Sequence, residues 1–287
     1  MRTKLILRTG LLFLVPPSLA VCAENPRAFV TQVVQTELAA DQADHSRWLY
    51  YDIDRKTDGA VKKWVAETGN GSVNRVLFSG GQSTTPADQR SAMDRFIHDP
   101  DALAKQRKSG QHDDRQSEEL LRLLPDAFNW TVESSNDGTT LLHFKPNPSF
   151  DPPTWASRVF AAMEGDMRVD NAQHRIASLK GRIVRDVKFC GGLCGSIHPG
   201  GTFSVERRQI APSIWQITET HVHINGVILF FKTISEQEDE IKTQFHQLPG
   251  NISLEQAASV LMQQNPNPSQ QESAHVTSIP TGVRPHS

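Results

Sequence analysis

Two histidines one residue apart, His221 and His223, are the residues of this chain whose types and spacing most directly suggest chemistry. On an extended strand, alternate side chains share a face, so both imidazoles and the Glu219 carboxylate would point the same way. Two imidazoles and a carboxylate can ligate zinc or non-haem iron, which would suit a secreted metal-dependent hydrolase. Three same-face residues on a straight strand spread over roughly 13 Å, however, too far for one ion to take all three without a bend. Outward-facing polar residues are therefore the expectation here. The cluster His112-Asp113-Asp114-Arg115 has no second ligand group within helical reach and reads as a polar loop between helices. No nucleophile elbow, phosphate loop, dinucleotide fingerprint or metalloprotease helix motif occurs. The chain reads as non-catalytic, and neither a metal nor a cofactor is expected.

The cysteines are Cys22, Cys190 and Cys194. The last two flank Gly191-Gly192-Leu193, and glycines let the backbone turn tightly enough to bring two Cα atoms within the bridging limit of about 7 Å. A metal site would need two further thiols or histidines, and only His198 is near. A redox dithiol normally has two residues between its cysteines. In an oxidising compartment a Cys190–Cys194 disulfide is the expectation.

That compartment is indicated by the first residues. Arg2, Lys4 and Arg8 precede the apolar run Leu11 to Val15, which Pro16-Pro17 interrupts, and small residues follow at Ser18, Ala20 and Ala23. This is the pattern of a secretory signal over residues 1–23, with cleavage after Ala20 or Ala23. The run is shorter than the roughly 20 apolar residues of a transmembrane helix, and no later segment approaches that length. Leu19-Ala20-Val21-Cys22 also looks like a bacterial lipobox, although Val is unusual before the cysteine, so lipid anchoring through Cys22 is the alternative to its removal with the signal. Export to the periplasm or beyond is the localisation expected. The formal charge of −2 offers no basic surface for nucleic acid or anionic membranes. The sequons at Asn129 and Asn251 would matter only in a eukaryotic source.

Roughly 265 residues remain, enough for one large β architecture, here residues 24–262. Phe29, Val33, Val34 and Leu38 recur at helical spacing behind Pro26 and predict a helix to about Ala43. Aromatic and β-branched runs at 48–53, 59–67 and 74–78, punctuated by Asp58-Gly59 and Asn70-Gly71, predict three antiparallel strands. A charged, helix-favouring insertion covers about 86–125. Strands resume at 128–132 and 140–144, and prolines then lead into a short helix from Thr154 to Met163. A meander is expected over 165–169, 175–187, 201–210, 214–224 and 227–234, the last two strands joined by an Asn225-Gly226 turn. A helix at Ser253 to Met262 adds cover. The polar tail 263–287 lacks apolar periodicity and is expected to be disordered. Antiparallel strands in this number hide their edges by closing or nearly closing. The fold class expected is thus mainly antiparallel β with helices (α+β), a curved, incompletely closed β-barrel with helices covering its concave face.

This order of elements resembles the periplasmic lipoprotein-carrier superfamily, typified by the outer-membrane lipoprotein carrier and receptor proteins. The likeness is strongest from Met163 to Asp170 and from Arg175 to Gly181, a strand, a turn and a strand ending in glycine. Gly200 to Phe203 and the hairpin Trp215 to Ile234 are similar to secreted bacterial relatives. The resemblance implies an unclosed antiparallel barrel with a helical lid over an apolar cavity. The function expected is an exported binding or carrier protein holding an acyl chain or another apolar ligand, lipid or acylated protein. Phe203, Trp215, Phe230 and Phe231 are the expected lining, Phe230 and Phe231 from a run, Val227 to Phe231, that is apolar on both faces. The alternatives are the hydrolase built on His221 and His223 and a scaffold protein of the cell envelope.

Overall fold

The structure, a computed structural model, describes residues 25–189, 195–228, 235–266 and 268. The signal region with Cys22, the Cys190–Cys194 turn, Phe230 and Phe231, and the tail beyond Pro268 lie outside the described residues, and the expectations made for them stand as proposals.

The first helix, α1 (Pro26–Ala43), starts where its chemistry predicts. Asn25 accepts a hydrogen bond from the Ala28 amide and Pro26 occupies the first turn. Its buried face is Phe29, Val30, Val33, Val34 and, unexpectedly, Glu37. Three strands follow, β1 (Arg47–Lys56), β2 (Gly59–Thr68) and β3 (Gly71–Ser79), with a two-residue edge strand β4 (Gln82–Ser83). Gly59 and Gly71 hold φ of 135° and 129°, in the region that favours glycine, at the two hairpins.

The charged insertion forms α2 (Pro86–Ile97) and α3 (Pro100–Ala127), each capped by an oxygen-bearing side chain and opened by proline. His112 to Arg115 lie inside α3, not in a loop between helices as expected. The polar composition that suggested a loop is that of a helix surface turned to solvent.

The strands β5 (Phe128–Ser135), β6 (Thr139–Pro146), β7 (Met163–Asp170) and β8 (Arg175–Ile183) form a meander, interrupted by the six-residue helix α4 (Trp155–Phe160), which ends before Met163. A small hairpin, β9 (Val187–Phe189) and β10 (Gly195–Ile197), precedes β11 (Thr202–Ala211), β12 (Ile214–Ile228) and β13 (Ser235–Leu248), and α5 (Leu254–Met262) follows. Two expectations are corrected. Asn225-Gly226 is not a turn, because β12 runs through it and pairs Gly226 to Ile228 with β10. Among the described residues the strand that follows β12 is Ser235–Leu248, which the polar run Ser235 to Glu240 concealed, and residues 229–234 of the expected strand lie outside them.

All pairings are antiparallel, in the order β4-β3-β2-β1-β13-β12-β11-β8-β7-β6-β5, and among the described residues β4 and β5 are unjoined ends. The curved, incompletely closed sheet with helices is therefore the architecture of this chain. The connection that makes it one sheet is β13, paired with β1 from Arg47↔Leu248 to Lys56↔Glu238 and with β12 from Glu219↔Ile241 to Asn225↔Ser235.

Two apolar clusters lie under the helices. One joins α1, the end of α3 and α4 to β5 through β10; the other joins α2, α5 and the start of α3 to β1 through β3. Helix α5, expected as a cover, covers β2 and β3 in the second cluster. Arg75, buried in β3, donates to Gln89 Oε1 and to the carbonyls of Leu261 and Gln264, 2.8 Å each, and so caps the C-terminus of α5 with positive charge. The Asn265 carbonyl accepts from the Trp64 indole at 2.8 Å, so the chain just past α5 lies against the sheet.

β7 and β8 pass close together where Gly165 faces Gly181. A methyl on Gly165 would collide with the Lys180 carbonyl, and one on Gly181 would stand 2.6 Å from the Phe203 ring. Gly165→Ala is accordingly expected to cost about 2 kcal/mol or more of stability by overpacking. A urea midpoint equal to that of the wild type would show that the two strands part freely.

Candidate functional site: a cavity between the helices and the sheet

On the sheet, alternation turns Phe203, Val205 and Arg207 of β11 towards α1 and α3, and the cross-strand partner of Phe203, Val222 of β12, turns with it. Between these side chains and the helices lies a cavity of about 770 Å³. It falls inside the range of small-ligand sites and is several times the volume at which an apolar void stays dry. Its floor is Leu179, Phe203, Val205, Val222 and Ile224; its roof is Leu120, Leu121 and Leu124 of α3 with Val159 and Phe160 of α4. The large apolar side chains that stand exposed among the described residues are Trp155, 55% exposed, and Ile217, 40% exposed, and both line this cavity where it meets solvent. Exposed apolar groups on the wall of one cavity mark an interaction site more strongly than the same groups scattered over the surface.

The cavity is graded. At one end Glu37 of α1 is 4% exposed and accepts from the Arg175 guanidinium at 3.0 Å, from the Ile176 amide at 2.6 Å and from Arg207 at 2.6 Å. Burial alone would push the Glu37 carboxyl up, but the charge of Arg207 and the hydrogen bonds of Arg175 and Arg207 outweigh it and hold the group below its ordinary value of 4.5. Arg175 also donates to the Ser213 carbonyl at 3.3 Å. Four residues along β11, about 13 Å by strand rise, Phe203 begins the wholly apolar end.

The residues singled out from sequence fall on both sides of the sheet. Phe203 and Trp215 line the cavity, the Trp215 indole donating to Gln173 Oε1 at 3.1 Å. His221 and His223 stand on the opposite face of β12 from Val222 and Ile224, 36% and 48% exposed at their side chains. They converge on one carboxylate of the neighbouring strand, His221 Nδ1 2.7 Å and His223 Nε2 3.0 Å from Asp239 Oδ1. Hydrogen bonds from His221 and then His223 hold Asp239 below the ordinary carboxylate range. Glu219 Oε2 lies 3.8 Å from His221. Among the described residues no three His, Cys, Asp or Glu side chains are grouped to hold a metal ion, and no helix is long and apolar enough to cross a membrane.

The residues that sequence reading missed are Glu37, Arg175 and Arg207. A signal existed for the first: Glu37 follows Val33 by four and Val34 by three, placing an acid within the apolar stripe of α1. Nothing in the local sequence marks the two arginines as its partners, since they lie 138 and 170 residues further on.

No family model matches the sequence, and no curated protein does. Among solved structures the chain is similar to a domain from Vibrio parahaemolyticus named for outer membrane lipoprotein sorting, covering 81% of this chain and 99% of that one, at 9% identity and a TM-score of 0.33. At that level of similarity the site rests on this chain's own geometry.

Proposed function

We propose that this chain is an exported, non-catalytic binding or carrier protein that holds an acyl chain or a comparable apolar ligand, free or attached to a lipid or protein. The observation that carries the reading is the cavity of about 770 Å³, apolar over most of its wall and lined in part by the exposed Trp155 and Ile217. Phe203 and Trp215 belong to its lining in this reading. Export rests on the signal pattern of residues 1–23. A chain of about ten carbons buries methylenes at about 0.8 kcal/mol each, roughly 8 kcal/mol gross. The cost of association reduces this to micromolar affinity or weaker. Titration of the exported protein with a fluorescent fatty acid, checked by native mass spectrometry, is expected to show saturable binding with one chain per cavity. Absence of uptake by both methods would remove the carrier reading.

A further inference from the structure

Resting on that carrier reading, we propose that the cavity takes a single-chain amphiphile with an anionic headgroup, a carboxylate or a phosphate, whose charge meets the Arg207 guanidinium at the polar end. Two guanidinium groups stand on one carboxylate there. Arg175 makes two contacts of 3.0 Å with Glu37 Oε2 and a third bond to the Ser213 carbonyl, and its side chain is 7% exposed. One such arginine suffices to neutralise Glu37 and to tie α1 to the sheet. Arg207, 19% exposed, adds a second full charge in the same corner, and among the described residues Glu37 is the group its guanidinium meets. The trio therefore carries one cation in excess.

A cation that the fold withdraws in part from water gains from an oxyanion partner, and the guanidinium fork has five donors, suited to planar or tetrahedral oxyanions. The position of the excess is as informative as its sign. Arg207 lines the cavity on the same strand face as Val205 and Phe203, so a head at Arg207 leaves its chain directed along the apolar floor.

The other charges that line the cavity are acidic: Asp41, Asp44, Asp114 and Glu118. Glu118 is paired with Arg122 at 2.6 Å, and Asp44 accepts from the Ser46 amide at 2.9 Å. Asp41 and Asp114 are exposed, so water and salt screen them in part, while partial burial and the charges of Asp41 and Asp113 push the Asp114 carboxyl above its ordinary range. Arg207, 19% exposed, is screened far less. The partly buried cation thus acts on a head in contact with it more strongly than the acidic rim.

The test compares ligands of one chain length on the intact exported protein: laurate, dodecyl phosphate, dodecanol and dodecyltrimethylammonium, by competition against a fluorescent acyl probe. Laurate or dodecyl phosphate is expected to bind at least tenfold more tightly than dodecanol, and whichever of the two leads identifies the head. Arg207→Met is expected to abolish that preference while dodecanol binding persists. Should Arg207→Met fail to fold, the comparison on the wild type decides alone. Equal affinity for dodecanol and both anions, or tighter binding of the ammonium, overturns the headgroup assignment and leaves the carrier reading standing. If none of the four displaces the probe because the probe itself does not bind, the carrier reading fails and the headgroup with it.

Discussion

Glutamine at position 37 is expected to lower the stability of the protein by about 3–5 kcal/mol at neutral pH, the cost typical of removing one partner from a buried ion pair. Glu37→Gln keeps the shape and much of the hydrogen bonding but leaves Arg175 and Arg207 side by side without a counter-charge. It also weakens the acceptor of the Ile176 amide. The pH dependence separates charge from packing. The Glu37 carboxyl is held below 4.5 in the folded protein, so its contribution is complete above its unfolded value and drains away as pH falls through the lower folded one. The gap between wild type and variant should therefore be full near pH 7 and shrink below about pH 4.5. Asp52 and Glu67 are pushed the other way, chiefly by burial, but they are common to both proteins and cancel in the difference. Urea unfolding at the two pH values measures this, and a gap of equal size at both would assign the loss to packing.

Filling the cavity should separate binding from folding. Val222→Trp combined with Leu179→Trp places two indoles in the floor beside Phe203. If they displace about four methylenes of a bound chain, the loss is about 3 kcal/mol, which is over a hundredfold in affinity. Stability is expected to hold, because an indole facing a void gains contacts that its wall lacked. Leu142, fully buried in the same half of the sheet, is the contrasting position. Leu142→Ala should cost about 2–5 kcal/mol, since packed neighbours relax only in part. A double tryptophan variant that unfolds as readily as Leu142→Ala would show the cavity to be filled by the protein's own side chains. One that binds the fatty-acid probe as tightly as the wild type would place the ligand elsewhere.

Local chemistry carried much of the fold in readable form. The stripe of α1, the prolines and capping oxygens of α2 and α3, and the hairpins at Asp58-Gly59 and Asn70-Gly71 act within a few residues of chain, and their elements form where those signals stand, whereas Asn225-Gly226 is overridden by pairing with β10. The number of strands and their edges pointed to an antiparallel sheet that closes or nearly closes; that it stays unclosed was implied by the family resemblance.

β13 shows where such reading stops. Ser235 to Glu240 is polar at every position and carries no alternation, yet it becomes the strand that joins the two halves of the sheet. Its stability comes from its neighbours: Lys56 meets Glu238 at 3.1 Å and His221 meets Asp239 at 2.7 Å. A strand paired on both edges is held by backbone bonds and cross-strand partners that only the assembled sheet supplies. The site divides in the same way. The sequence by itself determined that apolar strands and amphipathic helices were present to enclose volume, and it marked Phe203 and Trp215 among the aromatics of those strands. Which face each side chain takes was decided by the register of β8, β11 and β12, whose shifts beside Glu206 and Gln209 are set by pairing. That Glu37 meets Arg175 and Arg207 was decided by tertiary structure alone, because an ion pair between groups more than a hundred residues apart has no local signature and forms only where the fold brings the strands and α1 together.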